Sequence, residues 1–170
     1  MDDLGRQAAA TVRDALADLG LEWSETREGV FGVRLPGTRK LLTDCALEIG
    51  TYALGIRAFV ARRPDENHAA VYQWLLQQNL KLYAVSFSLD AVGDIHLTGK
   101  VGLASVTAAE VDRVLGVVAA AADDSFNTIL ELGFAESIAR EWVWRRSRAE
   151  PTTNLAAFTH LDPAQKEGTS

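Results

Sequence analysis

"SFSLDAVGDIHLTGKVG", residues 86–102, carries the only Gly-Lys pair of the chain, with Gly93 a few residues upstream. Two readings compete for it, a phosphate-binding loop and a β-hairpin. A Walker loop places four residues between its first glycine and Gly-Lys, and a Ser or Thr directly after. Here five residues separate Gly93 from Gly99, and Val101 stands where the hydroxyl is required. The hairpin reading fits throughout. With Ala91-Val92-Gly93 as a three-residue loop and Gly93 in the left-handed position, Leu89 faces Ile95, Phe87 faces Leu97, Val85 faces Gly99 and Tyr83 faces Val101. Ser88–His96, Ser86–Thr98 and Ala84–Lys100 then share the polar side. The stretch is an antiparallel ribbon by this reading, and Lys100 is a solvated strand residue.

The segments upstream repeat the pattern. "VFGVRLPGT" and "RKLLTDCALEIG" read as strands around a Pro-Gly turn, and a shorter alternation at Leu21 and Trp23 allows one extra strand before them. Taking Gly50-Thr51 as a two-residue turn sets Ile49 by Tyr52, Leu47 by Leu54 and Cys45 by Ile56 on an apolar face. Asp44 then meets Arg57 on the opposite face. Leu4, Ala8, Val12, Ala15, Leu16 and Leu19 recur at helical spacing over residues 2–19, ending at Gly20. Asp65 is the expected N-cap of a helix running to about Asn79. Thr107-Ala-Ala-Glu110 has capping-box spacing ahead of a long helix with bends expected near Asp123-Asp124-Ser125 or Gly133. Phe134, Ile138 and Trp142 mark a further helical stretch.

The predicted order is α-β-β-β-α-β-β-α, an α+β domain in which helices flank an antiparallel sheet. It occupies residues 1–148. Residues 149–170 form a C-terminal tail that docks in part through Leu155, Phe158 and Leu161 and frays at its polar end "PAQKEGTS".

At 170 residues, 48% hydrophobic and 24% charged, the chain has the composition of one soluble globular domain. A net charge of −6 argues against a nucleic-acid partner, which needs a basic stripe against phosphate. The N-terminus lacks a signal-peptide pattern, and no apolar run reaches the ~20 residues that span a bilayer. The single cysteine fits a reducing compartment. These features predict a cytoplasmic protein with neither membrane nor nucleic-acid partner.

No reaction centre is legible. Cys45 falls on the apolar side of its ribbon and reads as a buried structural thiol, not a nucleophile served by His68 or His96. His68, His96 and His160 have no metal-ligand spacing. His96 beside Ser88 lacks a third group to orient the ring, so both read as solvent-face residues. Asp123 and Asp124 point about 100° apart on a helix and read as a solvated face or a bend. No cofactor, metal or catalytic residue is assigned, and the protein is read as non-enzymatic. "REWVWRRSR" stands apart. Trp142 and Trp144, two residues apart on a helix, cannot share a face, so one indole packs inward while the other points elsewhere. Tryptophan and arginine dominate binding hot spots. Trp142, Trp144, Arg145 and Arg146 are therefore the candidate partner-binding residues, with packing inside the monomer as the alternative.

Taken together, the acidic first helix, the stretch from "VFGVRLPGTRKLL" through "VYQWLLQQNL", "VSFSLDAVGDIHLTGKVGL" and "ADDSFNTILELGF" resemble the YbjN family in its actinobacterial form. The resemblance spans residues 4–148. It implies the fold of the type III secretion chaperones, a homodimer, and a description as a bacterial sensory-transduction regulator. It implies a chaperone-like or regulatory module whose partner is another protein or a second copy of itself. The alternative is a small-molecule sensor with a pocket between sheet and helices. Residues 135–161 extend beyond the chaperone pattern.

Overall fold

The computed structural model describes residues 1–166. The fraying expected at the end of the tail therefore falls, for residues 167–170, outside the described residues. Helix α1 (Asp3–Asp18) leads into strands β1 (Glu22–Arg27), β2 (Val30–Pro36), β3 (Leu42–Ile49) and β4 (Ala53–Ala61). Helix α2 (His68–Asn79), strands β5 (Val85–Leu89) and β6 (Ile95–Gly102), helices α3 (Ala108–Gly133) and α4 (Ala135–Ser147), a 3-10 segment (Thr153–Leu161) and the short α5 (Pro163–Lys166) follow. The six strands form one antiparallel sheet in the order β1-β2-β3-β4-β6-β5. The optional strand after α1 is thus present as β1.

The opening hairpin has the predicted register from Val85↔Gly99 to Leu89↔Ile95. Gly93 adopts φ +92° in the loop. Asp90 accepts from the Gly93 N–H (3.1 Å) and donates its own N–H to Asp94 (3.0 Å). Gly99 is required for closeness: a Cβ there would collide with the Ala84 carbonyl oxygen. Ala84 itself has φ +60° and breaks the ladder, so Tyr83 and Ala84 never reach their predicted partners. Tyr83 instead donates its hydroxyl to Glu110 (2.7 Å).

The β3–β4 ribbon differs in detail. The turn runs over residues 50–52 and is closed by Gly50 N–H to Ala53 O (2.9 Å), so the pairs are Ile49↔Leu54, Leu47↔Ile56 and Cys45↔Ala58. The shift is two residues, an even number, so every side chain keeps its predicted face. Arg57 pairs across from Ala46, not Asp44.

Phe31, Val33, Cys45, Leu47, Ile56, Ala58, Ile95 and Leu97 are buried on the inner face, where Val12 and Leu16 of α1 and Val114, Val118 and Ile129 of α3 close the core. The remaining expected caps are corrected by long-range contacts. Asp65 does not cap α2, which starts after Asn67 without a side-chain cap. Its carboxylate accepts from Arg62 (2.6 and 2.9 Å) and Ser137 (2.9 Å), and Glu66 accepts the Glu136 N–H (2.8 Å) at the start of α4. The Gly133 carbonyl receives the N–H groups of Asp65 and Glu66, fixing the α3–α4 break at this second predicted position. The capping box is half formed: Thr107 accepts the Glu110 N–H, while the Glu110 carboxylate binds Tyr83 and Arg113.

α3 runs unbent past Asp123. The Asp123 carboxylate accepts the backbone N–H groups of Thr38 (2.8 Å), Arg39 (2.7 Å) and Lys40 (2.9 Å) and the Thr38 hydroxyl (2.8 Å). It is not a solvated residue but the tie that holds the β2–β3 loop to the helix. Burial pushes its pKa up, yet these donors outweigh burial and hold it below the usual carboxylate range.

Three outcomes follow from this packing. Asp123→Ala should lower unfolding free energy by about 2 kcal/mol in denaturant titration, since charge-assisted bonds contribute roughly 1.5–3 kcal/mol. Hydrogen bonds from Arg62, then Ser137, depress Asp65 from 3.8 to about 2, so its stabilisation is whole above 3.8 and is lost as pH falls toward about 2. Asp65→Asn should accordingly show a shallower loss of stability across that acid window. Burial raises the Cys45 thiol to about 12, so a disulfide reagent should label it only after unfolding.

Candidate functional site

Two regions present chemistry to solvent. The first is the outer face of the sheet. Opposite the buried set, Leu42 and Phe59 are exposed apolar side chains, while Ser24, Gly32 and Ala46 form a low floor with Arg34, Asp44 and Arg57 around it. A hollow of about 450 Å³ opens there. Arg34 is paired with Glu22 (3.2 Å) and Asp44 (3.6 Å). Arg57 has a single ion pair among the described residues, to Asp90 at 3.8 Å.

His96, expected at the solvent, is instead buried at 8% exposure, alone among the strand residues of the outer face. Phe59, its β4 partner, stands edge-on over the imidazole with ring centroids 5.6 Å apart. The missing third group is Asp90, whose Oδ2 lies 3.1 Å from His96 Nε2. That carboxylate also accepts the backbone N–H groups of Val92 and Asp94. Burial raises the Asp90 pKa, but the Asp94 N–H, His96 and the Val92 N–H bring it below the usual range. Ser88 does not join the pair, because its hydroxyl accepts from Thr98 (3.0 Å). A nucleophile–base contact is thus absent at this histidine, and His96 Nδ1 is buried without a hydrogen-bond partner among the described residues. Leaving such an atom unsatisfied costs roughly 1–3 kcal/mol.

His68 Nε2 donates to the Pro64 carbonyl oxygen ahead of α2 (2.8 Å), and His160 lies 3.6 Å from Glu131. Among the described residues, no three His, Cys, Asp or Glu side chains converge as metal ligands. No helix among them is long and apolar enough to cross a membrane.

The second region is α4 with the tail folded back on it. Trp142 is 6% exposed and donates its indole N–H to Phe158 O (3.1 Å), beneath the 3-10 segment that also buries Leu155. Arg146 lies 5.3 Å from the Trp142 ring and forms an ion pair with the buried Asp162. Arg145 donates to Glu141 (2.6 Å) and Pro151 O (2.9 Å). Trp144 points outward at 43% exposure, with the Arg148 guanidinium 5.0 Å from its ring and Val143 exposed beside it. The four residues therefore divide: Trp142, Arg145 and Arg146 fasten the tail, and Trp144 faces solvent. Sequence spacing separated the two indoles, but nothing local marked Asp162 as the partner of Arg146.

A one-sided antiparallel sheet with its long helices on the inner face is the class of protein so defined. The chain belongs to the YbjN family, described as "Putative bacterial sensory transduction regulator", whose model matches residues 8–131. It is 52% identical over 166 residues to the uncharacterized protein ML2442 of Mycobacterium leprae, spanning 95% of this chain and 90% of that one. It is 53% identical over 131 residues to Rv0487 of Mycobacterium tuberculosis, spanning 77% and 72%. Among solved structures, its fold is similar to a chain of the heterodimeric ExoU–SpcU complex from the type III secretion system of Pseudomonas aeruginosa. The TM-score is 0.50 at 15% identity, over 71% of this chain and 96% of that one. A chain of the HopA1–SchA chaperone–effector complex matches with TM-score 0.53 at 11% identity, over 72% and 95%. The secretion-chaperone-like fold expected from the sequence is thus the fold found.

The tail contacts predict unequal losses. Trp142→Ala should cost about 3–5 kcal/mol in thermal or denaturant unfolding, the usual range for deleting a buried aromatic. Trp144→Ala should stay within about 0.5 kcal/mol of the parent, as surface changes do.

Proposed function

We propose that this chain is a non-enzymatic, chaperone-like protein-binding module that acts as a homodimer. The observation that carries this reading is an apolar stripe on α2. Leu76 is 67% exposed and Leu80 89% exposed, one helical turn apart, with Tyr83 exposed just beyond them. Neighbouring β5 adds an exposed Leu89. Large apolar side chains grouped in this way favour association. A two-fold contact through one α2 face would bury the stripe against itself.

The edge of β5 does not compete for this role. Asn79 of α2 donates to Phe87 O (3.3 Å) and accepts its N–H (2.6 Å), occupying backbone groups that an added strand would use. Similarity to chains from a chaperone–effector complex supports protein partners. Partner contact is assigned to the outward side of α4 around Trp144, with Trp142, Arg145 and Arg146 holding that helix and the tail in place.

Light scattering should give twice the 18.4 kDa chain mass for the parent protein. The double variant Leu76→Glu/Leu80→Glu should give 18.4 kDa with an unchanged circular dichroism spectrum. A parent that remains monomeric at about 100 μM would retire the dimer, since obligate association depends on protomer concentration.

A further inference from the structure

Between sheet and helices, a void of about 10 Å³ lies among Leu47, Leu54, Val101 and Val114, and a groove of about 470 Å³ opens between the end of β4 and α3 and α4. The outer face is different. Its hollow contains a buried polar atom with no partner among the described residues and a cation whose one ion pair among them is at 3.8 Å. His96 Nε2 lies 3.1 Å from Asp90 Oδ2; in the neutral tautomer that donates there, Nδ1 is an acceptor. Phe59 stands over that ring.

Phe59 borders two cavities. It lines both the 450 Å³ hollow and a separate 470 Å³ groove walled by Phe126, Leu130 and Ile138. The Lys40 ammonium lies 5.7 Å from the Phe59 ring and 5.6 Å from that of Phe126, so it would remain beside an aromatic face after the ring turned. Turning would open the side of His96 on β6, one strand beyond Arg57, which itself pairs across from Ala46 of the floor.

We propose that this hollow binds a small aromatic carboxylate bearing an N–H or O–H donor. Its carboxylate pairs with Arg57, its ring lies on the Gly32–Ala46 floor, and its donor satisfies His96 Nδ1 once Phe59 has turned aside. Each element answers one deficiency of the unliganded surface. Arg57 has one anion among the described residues, Asp90 at 3.8 Å, the floor lacks side chains to fill it, and Nδ1 lacks a partner. Glu22 and Asp44 are engaged by Arg34, and Asp90 by His96 and the Val92 and Asp94 N–H groups. The site lies apart from the α2 stripe, so it stands or falls separately from the dimer.

Indole-3-acetate, indole-3-acetamide and 1-methylindole-3-acetate separate the two polar contacts. They would be titrated into the full chain labelled with ¹⁵N-histidine, following the imidazole nitrogens by NMR. Indole-3-acetate should move the His96 Nδ1 resonance and bind at least about tenfold more tightly than the amide, the size of effect expected from one charge-assisted contact. The N-methyl analogue should bind more weakly and leave Nδ1 unmoved. Arg57→Gln, at an exposed side chain, should keep the melting temperature and abolish discrimination between acid and amide. An unmoved Nδ1 resonance at about 10 mM indole-3-acetate, far above a useful dissociation constant, would overturn the assignment. Equal affinity for all three probes, or unchanged discrimination in Arg57→Gln, would overturn it as well.

Discussion

Side chains alternate strictly across a strand, and here the inner half of that alternation decides where everything else can sit. Phe31, Val33, Cys45, Leu47, Leu54, Ile56, Ala58, Ile95 and Leu97 all face α1 and α3. A slip of one residue in β3 or β4 would drive Asp44 or Arg57 into that core, where an unpaired charge costs several kcal/mol. Both long helices are therefore committed to one face, and the other carries small and charged residues with Leu42 and Phe59 exposed among them. Among Leu47, Leu54, Val101 and Val114 the packed inner side leaves only about 10 Å³, whereas larger hollows open on the outer face and between the end of β4 and α3 and α4.

The polar contacts that complete the fold act over long sequence separations. Asp123 gathers three backbone N–H groups of the β2–β3 loop, and Glu66 and Asp65 receive the first turn of α4. These carboxylates fix loops and helix ends that their own neighbours leave open. They also explain what local sequence signals could not show. The alternation and Gly93 were enough to determine the β5–β6 register, because loop and partners lie within a single ribbon. The β3–β4 faces were legible, but the pairing is offset by two because four residues, Gly50 to Ala53, lie between the paired Ile49 and Leu54. Asp65 looks like an N-cap until Arg62 and a serine 72 residues onward claim its carboxylate. Asp123 looks solvated until a loop 83–85 residues upstream folds against it.

The site was hidden for the same reason. Ser88 is the sequence-ribbon neighbour of His96, and that pairing suggested an open polar face. Burial of the imidazole comes from Phe59 on β4, a strand separated from β6 in sequence by α2 and β5 yet adjacent to it in the sheet. The C-terminal helix was more legible. The spacing of Trp142 and Trp144 required divergent directions, and the choice of which indole turned inward was settled by Phe158 and Asp162 in the returning tail.

Phe59 joins these regions physically. On one side its ring covers His96; on the other it adjoins Lys40, whose backbone N–H is held by Asp123 of α3. Burial pushes the Lys40 pKa down, only partly opposed by Asp44; its ammonium donates to the Leu42 carbonyl oxygen (3.0 Å) and lies beside the aromatic rings of Phe59 and Phe126. A displacement of Phe59 would alter the surroundings of Lys40, on a loop tied to α3 by Asp123. α3 in turn continues through the Gly133 break into the helix that bears Trp144. The outer hollow and the α4 surface are linked by packed side chains and one carboxylate, not merely by belonging to the same chain.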